Sequence, residues 1–422
     1  MPIRISKFLA ILCIFAIAMS VVNTYLIFNN IQAQQHMAAE LSNLAETLGA
    51  INQTSLANVT DMRFLINQLA DQVSKLQTSF ANVTDMKFLI NELADQVSKL
   101  QESVSRFVNQ TPANIYQSTY KSVVVITTNT RQGSGFIFNR TNMILTNWHM
   151  VEGETDIQAQ FYDGTRRPAS LVGSDAYSDI AVLTVPSSPQ DVKPLQLGNS
   201  SNLYVGQQVV AIGNPLGLTG SLSSGYVSQV NKIIDIVDVP ITVPVIQLDI
   251  TLAPGNSGSP LLDMFGNVVG ITNAGTSYGF NFAVPSNIVK RVASSLIEKG
   301  YYSHPFIGFY LVELTPEVIK TENIVNIDPF QSGLLVWDVI KDYPAEQAGL
   351  KGVVETTDPN GQHGYMARDI VLAVDGHPTR TTAEWTTYVE EHVSPGQIIT
   401  LTVWRSGVIT SVNVTATYRP AY

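Results

Sequence analysis

Apolar positions fall into three textures along the chain. Phe8 to Phe28 is an uncharged run of 21 residues, long enough to cross a bilayer as a helix. Residues 55–78 and 79–102 form a tandem repeat of 24, SLANVTDMRFLINQLADQVSKLQT followed by SFANVTDMKFLINELADQVSKLQE. From Val59 to Phe107 the apolar steps alternate three and four, with a single three–three step at Phe80, Val83 and Met86. That is a heptad seam with one discontinuity, and it predicts a coiled coil from about Leu41 to Phe107. From Tyr116 the texture changes to short β-branched runs between Gly-, Asn- and Ser-rich turns: SVVVITT, GSGFIF, MILTN, DIAVLTV, QQVVAIG, GYVSQV, VIQLDI, NVVGIT and FNFAVP. Such spacing predicts a barrel or sandwich. Pro285 and Ser286 open an apolar-periodic helix that Gly300 stops.

Beyond Gly300, LLVWDVI, DIVLAVDG and ITLTVWRSGVITSVNVT read as strands, PAEQAG as a short helix, and Thr381 to Val393 as a longer one opened by a Thr381/Glu384 capping box. Four segments follow: 1–30 as cytoplasmic tip and membrane anchor, 31–110 as stalk, 111–300 as β-domain, 301–422 as a smaller mixed domain. Arg4 and Lys7 precede the apolar run, which places the N-terminus in the cytoplasm and the remainder outside. A cleaved signal peptide, with Ala16-Ile17-Ala18 at the cleavage site, is the rival reading. Both export the rest of the chain. Formal net charge is −10, which argues against a nucleic-acid partner. The single cysteine, Cys13, excludes an intrachain disulfide and a Cys-based zinc site, and no HExxH pair occurs.

Candidate chemistry lies in the β-domain. His149, in MILTNWHMVEG, is the single histidine of 116–300. A serine nucleophile needs a base, and this imidazole is the one the domain has. Ser257 sits in TLAPGNSGSPLLD, where flanking glycines let the backbone turn sharply. The amides of Gly255, Asn256 and Ser257 can then converge on an oxyanion. Of the aspartates between them, Asp179 stands at the mouth of a buried strand and suits an orienting carboxylate; Asp175 and Asp249 are the fallback choices. A G-x-S-x-G elbow fails at Ser259, and PLLDMFGNVVGI reads as a hairpin rather than the helix that elbow needs. The chain order His, Asp, Ser is that of the chymotrypsin-like template.

The blocks ILTNWHMVEG, SDIAVLTV, VGQQVVAIGNPLGL, SSGYVSQVN, LDITLAPGNSGSPLLD and FNFAVP, in this order, resemble the HtrA (Deg) family of serine proteases. The resemblance covers about 116–300 and extends into 301–422. It implies a mainly β fold: a chymotrypsin-like double β-barrel followed by an α+β PDZ domain. It implies a serine endopeptidase with His149 as general base, Asp179 as its orienting carboxylate and Ser257 as nucleophile. Oxyanion donors would be the backbone of Gly255 and Ser257, with Asn256 between. Asp249 matches a recurring position taken as structural. Ser259 departs from the family, where Gly is frequent, and so does Trp148, where a small or polar residue is common.

In HPFIGFYL, the family's carboxylate-binding loop is matched by Phe306, Ile307, Gly308 and Phe309; Val353 to Met366 looks like an insertion. Ala274, Gly275 and Phe282 are expected to wall the specificity pocket, suited to a modest aliphatic side chain. The resemblance also implies unfolded or damaged proteins as substrates, peptide C-termini as PDZ ligands, a homotrimer or higher homo-oligomer, and chemistry without metal or cofactor. The competing reading is a non-catalytic adaptor or holdase with a degenerate protease domain.

Overall fold

The computed structural model describes residues 111–422 except 140–141, 214–219, 235–241, 274–280, 358–360 and 421–422, together with Asp95, Ser98 and Lys99, which are helical. The apolar run at 8–28 and the rest of the repeat segment lie outside the described residues. Among the described residues no helix is long and apolar enough to cross a membrane.

The chain from Pro112 enters through helix α1 (Pro112–Thr119). Six short strands follow: β1 (Val123–Thr127), β2 (Gln132–Ile137), β3 (Met143–Thr146), β4 (Ile157–Gln160), β5 (Arg166–Asp175) and β6 (Ile180–Thr184). They close a barrel in the order β1-β2-β3-β6-β5-β4. A second set repeats the pattern: β7 (Gln208–Gly213), β8 (Ser221–Lys232), β9 (Val245–Leu248), β10 (Pro260–Leu262), β11 (Val268–Asn273) and β12 (Asn281–Pro285). These close in the equivalent order β7-β8-β9-β12-β11-β10, so the two barrels share one topology. Closure leaves no barrel strand edge open, which is how an all-antiparallel fold avoids edge pairing. The predicted hairpin after Ser257 is present as β10–β11.

Near-continuous apolar runs such as VVVI and IAVL arise because both strand faces are buried. One face fills a barrel interior: Val124, Ile126, Ile144 and Leu183 in the first, Val209, Ala211, Ile246 and Leu261 in the second. The other face joins a shared core, where Val123, Phe136, Leu145, Ile180 and Val182 meet Val210, Ile212, Leu262, Ile271 and Val284. Helix α2 (Ser286–Lys299) closes that core with Ile288, Val289, Val292 and Leu296, and Gly300 ends it at φ 83° in the left-handed conformation.

The C-terminal region adds β13 (Pro305–Phe306), β14 (Phe309–Glu313), α3 (Pro316–Thr321), β15 (Ile324–Val325), β16 (Leu334–Val339), α4 (Pro344–Gln347), β17 (Val354–Thr357), β18 (His363–Met366), β19 (Asp369–Val374), β20 (His377–Pro378), α5 (Thr382–His392), β21 (Ile398–Arg405), β22 (Val408–Thr415) and β23 (Thr417–Tyr418). Its main sheet runs β14-β16-β19-β21-β22, and β13 pairs with β23. The expected capping box is formed: Thr381 accepts from the Glu384 amide, and Glu384 accepts from the Thr381 amide. The segment read as an insertion is a β17–β18 hairpin that recruits β15 in parallel, making a separate three-stranded sheet.

Candidate active site

His149 is carried on a single 3₁₀ turn, Trp148–Met150, directly after β3. The turn is held from outside by Arg131, whose Nη1 donates to the His149 carbonyl at 2.6 Å and the Glu152 carbonyl at 3.1 Å. Asp179 ends the turn between β5 and β6 at φ 54°, a left-handed conformation that Asp adopts more readily than most residues. It is fully buried. Its Oδ2 lies 2.8 Å from His149 Nδ1 and its Oδ1 accepts from the His149 amide at 2.9 Å. Asn147 Nδ2 donates to the Asp179 carbonyl at 3.0 Å and so fixes its backbone.

The second barrel contributes Asn273, at the end of β11, whose Nδ2 donates to Asp179 Oδ2 at 2.7 Å. Burial pushes the Asp179 carboxyl above its ordinary value, and the His149 and Asn273 contacts are those that hold a charge there. Asn273 was not singled out by sequence reasoning, and no local signal marks it. Asp175, one fallback choice, faces away from His149; Asp249, the other, is exposed.

The 255–259 turn is tied down by backbone and hydroxyl bonds. Gly255 sits at φ 101° and Gly258 at φ 84°. A Cβ on Gly258 would lie 2.1 Å from the Ser134 carbonyl, so only glycine fits there. The Asn256 carbonyl accepts from Thr272 Oγ1 at 2.7 Å and from the Ser259 amide at 3.0 Å. Because the peptide is trans, the Ser257 N–H points opposite to that carbonyl. Ser257 is half-buried and its carbonyl accepts from the Ser134 amide on β2 at 2.8 Å. The Ser259 hydroxyl is buried with no hydrogen-bond partner among the described residues. Phe282 on β12 is buried in the shared core; Ala274 and Gly275 lie outside the described residues.

In the C-terminal region, Ile307 is buried and Gly308 takes φ 84°, where a Cβ would meet Tyr343 Cβ at 2.2 Å. Phe306 pairs with Thr417 and its ring meets Tyr343 edge-on. Phe309 opens β14, an edge of the main sheet, and its ring lies 5.2 Å from that of Trp385 on α5. Edge strand and helix thus lie side by side, as β-strand addition of a peptide requires.

A further cluster was not foreseen. His304 is buried between two carboxylates, with Nε2 3.0 Å from Asp175 Oδ2 and Nδ1 2.8 Å from Glu390 Oε2 on α5. Tyr177 and Tyr302 pack edge-on against its ring. Burial alone would push this imidazole down, but hydrogen bonds to Asp175 and Glu390 and their charges outweigh it and raise it to about 9. Burial likewise pushes Asp175 up, yet His304 and Ser178 hold it below the usual carboxylate range. Since the folded value exceeds the ordinary 6.5, the His304 contribution is complete below about pH 6.5 and is lost as pH rises through about 9, whereas the Asp175 contribution is lost only in acid, as that carboxylate protonates. The former is worth on the order of 3 kcal/mol. We therefore expect the melting temperature to fall between pH 7 and 10. In His304→Gln it should be lower at pH 7 and nearly flat over that range. A variant curve parallel to that of the unmodified protein would refute this account.

The comparisons agree with this architecture. A trypsin-like peptidase domain model matches residues 133–271, and a PDZ domain model matches residues 305–416. A probable periplasmic serine endoprotease, DegP-like, of Halomonas elongata is 36% identical over 288 residues, 67% of this chain and 56% of that protein. The serine protease Do-like HtrB of Bacillus subtilis is 33% identical over 300 residues, 67% of this chain and 62% of that protein. The match therefore spans between half and two thirds of the length of these relatives. Among solved structures, the HtrA-type protease AlgW with a tripeptide superposes with TM-score 0.58 at 28% identity, over 74% of this chain and 98% of that one. AlgW with a decapeptide gives 0.57 at 25% identity, over 74% and 100%. The chain carries a trypsin-like peptidase domain followed by a PDZ domain and is a relative of the HtrA serine proteases.

Proposed function

We propose that the chain is a serine endopeptidase that cleaves unfolded or damaged proteins through His149, Asp179 and Ser257. The observation that carries this reading is the buried Asp179 carboxylate gripping both the side chain and the amide of His149. Asp179 keeps the Nδ1 proton in place, so Nε2 is available as a base. His149 takes the Ser257 proton as Oγ attacks the scissile carbonyl. The Gly255 and Ser257 amides, with Asn256 between them, receive the oxyanion. His149 then protonates the leaving amine, and water releases the acyl-enzyme by the same steps. Each step uses groups of this chain.

The peptidase unit occupies 111–300 and the peptide-binding unit 301–422. Ala274, Gly275 and Phe282 wall a pocket for a modest aliphatic side chain. Phe306 to Phe309 present backbone amides to a peptide carboxylate, with the peptide adding to β14. Residues 8–28 anchor the chain in the membrane, the repeat forms a coiled-coil stalk, and the catalytic part lies outside the cytoplasm as a trimer. Names of relatives that include "periplasmic" and structures solved with bound peptides support this reading.

The full-length chain is tested with casein and a fluorophosphonate probe. Casein should be hydrolysed and mass spectrometry should place the adduct on Ser257. A chain that binds peptides but neither cleaves casein nor takes the probe is an adaptor, and the enzymatic reading falls. Sedimentation of the same preparation as a monomer at micromolar concentration would overturn the trimer.

A further inference from the structure

We infer that Ser134 is a positioning residue for the oxyanion donors, acting through the peptide planes of the 255–258 turn. This rests on the reading of Ser257 as nucleophile with the Gly255 and Ser257 amides as donors.

Ser134 lies on β2, in the opposite barrel from the turn, and is fully buried. Its hydroxyl donates to the Gly255 carbonyl at 2.7 Å, and its amide donates to the Ser257 carbonyl at 2.8 Å. Its own carbonyl accepts from Thr146 Oγ1 on β3 at 2.7 Å. One residue of the first barrel thus holds two carbonyls of the turn and is itself braced by a neighbouring strand.

Three successive peptides of the turn are fixed in this way. The 255–256 plane is held by Ser134 Oγ at the Gly255 carbonyl and by the Ala253 carbonyl, which accepts from the Asn256 amide at 3.1 Å. The 256–257 plane is held by Thr272 Oγ1 and the Ser259 amide. The 257–258 plane is held by the Ser134 amide and by the Thr272 carbonyl, which accepts from Gly258 at 2.9 Å.

The Gly255 N–H belongs to the preceding plane and is separated from the pinned 255–256 plane only by the two soft dihedrals of Gly255. Glycine has no Cβ to restrict those dihedrals, and here φ is 101°. The Ser134 hydroxyl and the Ala253 carbonyl together hold the 255–256 plane, and this fixed plane is what the Gly255 dihedrals work from in presenting the N–H. Without the hydroxyl, the 255–256 plane keeps only the Asn256 amide bond to the Ala253 carbonyl, and with no Cβ on Gly255 to restrict the join, the 254–255 peptide can rotate. The N–H then no longer faces the place where negative charge develops. Such donors act by being oriented before reaction, so loss of orientation appears in kcat rather than in substrate binding.

The test compares Ser134→Ala with the unmodified full chain. We expect kcat to fall about tenfold to a hundredfold, less than the loss typical when a donor is deleted, with KM within about threefold. A peptide boronate, tetrahedral when bound, should lose affinity by a factor similar to the fall in kcat, while a product peptide binds as before. Ser134→Cys, slightly larger than serine and a weak donor, should fall between the two. If Ser134→Ala melts far below the unmodified protein, the cysteine variant decides by the same ratios. Unchanged kcat and boronate affinity in a folded variant overturns the inference. So does a parallel loss of product-peptide and boronate affinity, which marks a merely structural residue. Failure of the underlying reading is visible separately: a fluorophosphonate that still labels Ser257→Ala removes Ser257 as nucleophile, whatever Ser134 does.

Discussion

Ser257→Ala is expected to lower kcat for a peptide substrate by about 10⁶-fold, the scale seen when the nucleophile of a Ser-His-Asp site is removed. What remains would come from substrate binding and the backbone donors, which alone give roughly 10³–10⁴ over the uncatalysed reaction. The substitution removes one oxygen from a half-buried side chain. The turn around it is fixed by the Ser257, Asn256 and Gly255 carbonyls and by two glycines at positive φ, all of which an alanine at 257 leaves in place. The variant should therefore melt within a few degrees of the unmodified protein and bind peptides as before. Steady-state kinetics with a thermal melt read both halves. A folded variant with kcat within tenfold of the unmodified enzyme would remove Ser257 from the chemistry.

Much of the fold can be read locally because its signals are local. Alternation of apolar runs with turn residues marks the barrel strands, Gly300 stops α2 in a left-handed cap, and Thr381 with Glu384 opens α5. His149 stood out by scarcity. What could not be read are partners separated by long stretches of chain: Asn273 and Asp179 by 94 residues, Ser134 and Gly255 by 121, His304 and Asp175 by 129. Nothing in GSGFIF distinguishes a serine that braces a turn from one that is merely tolerated in a strand. Barrel closure decides it.

Asp175 and Asp179 show the same limit at shorter range. Both precede the apolar run of β6, and pattern alone leaves them as alternatives. The left-handed conformation of Asp179 aims its carboxylate at His149, while Asp175 accepts from Ser178 and faces His304. The end of β5 and the turn after it therefore carry two buried carboxylates with different partners: Asp179 in the site, Asp175 bonded through His304 to Glu390 on α5.

Asp179→Asn should separate these roles, with kcat falling about 10⁴-fold while KM changes little. Asparagine tolerates a φ of 54°, so the backbone can stay as it is. The loss comes from the hydrogen-bond inventory. If the new amide oxygen keeps the bond from the His149 amide, the NH₂ faces Nδ1 and donates to it. The imidazole must then carry its proton on Nε2, where it cannot accept one from Ser257. In that orientation the NH₂ also confronts Asn273 Nδ2, which donates to Asp179 Oδ2 at 2.7 Å in the unmodified protein. The opposite flip satisfies Asn273 but sets the NH₂ against the His149 amide. One donor–donor conflict persists unless Asn273 turns over, so stability should also drop, by about 1–3 kcal/mol. Asp175→Asn is the control. It should lower the melting temperature by weakening the His304 cluster and leave kcat within about tenfold, since Asp175 makes no contact with His149. If instead Asp175→Asn abolished turnover and Asp179→Asn spared it, the orienting carboxylate would be the wrong one of the pair.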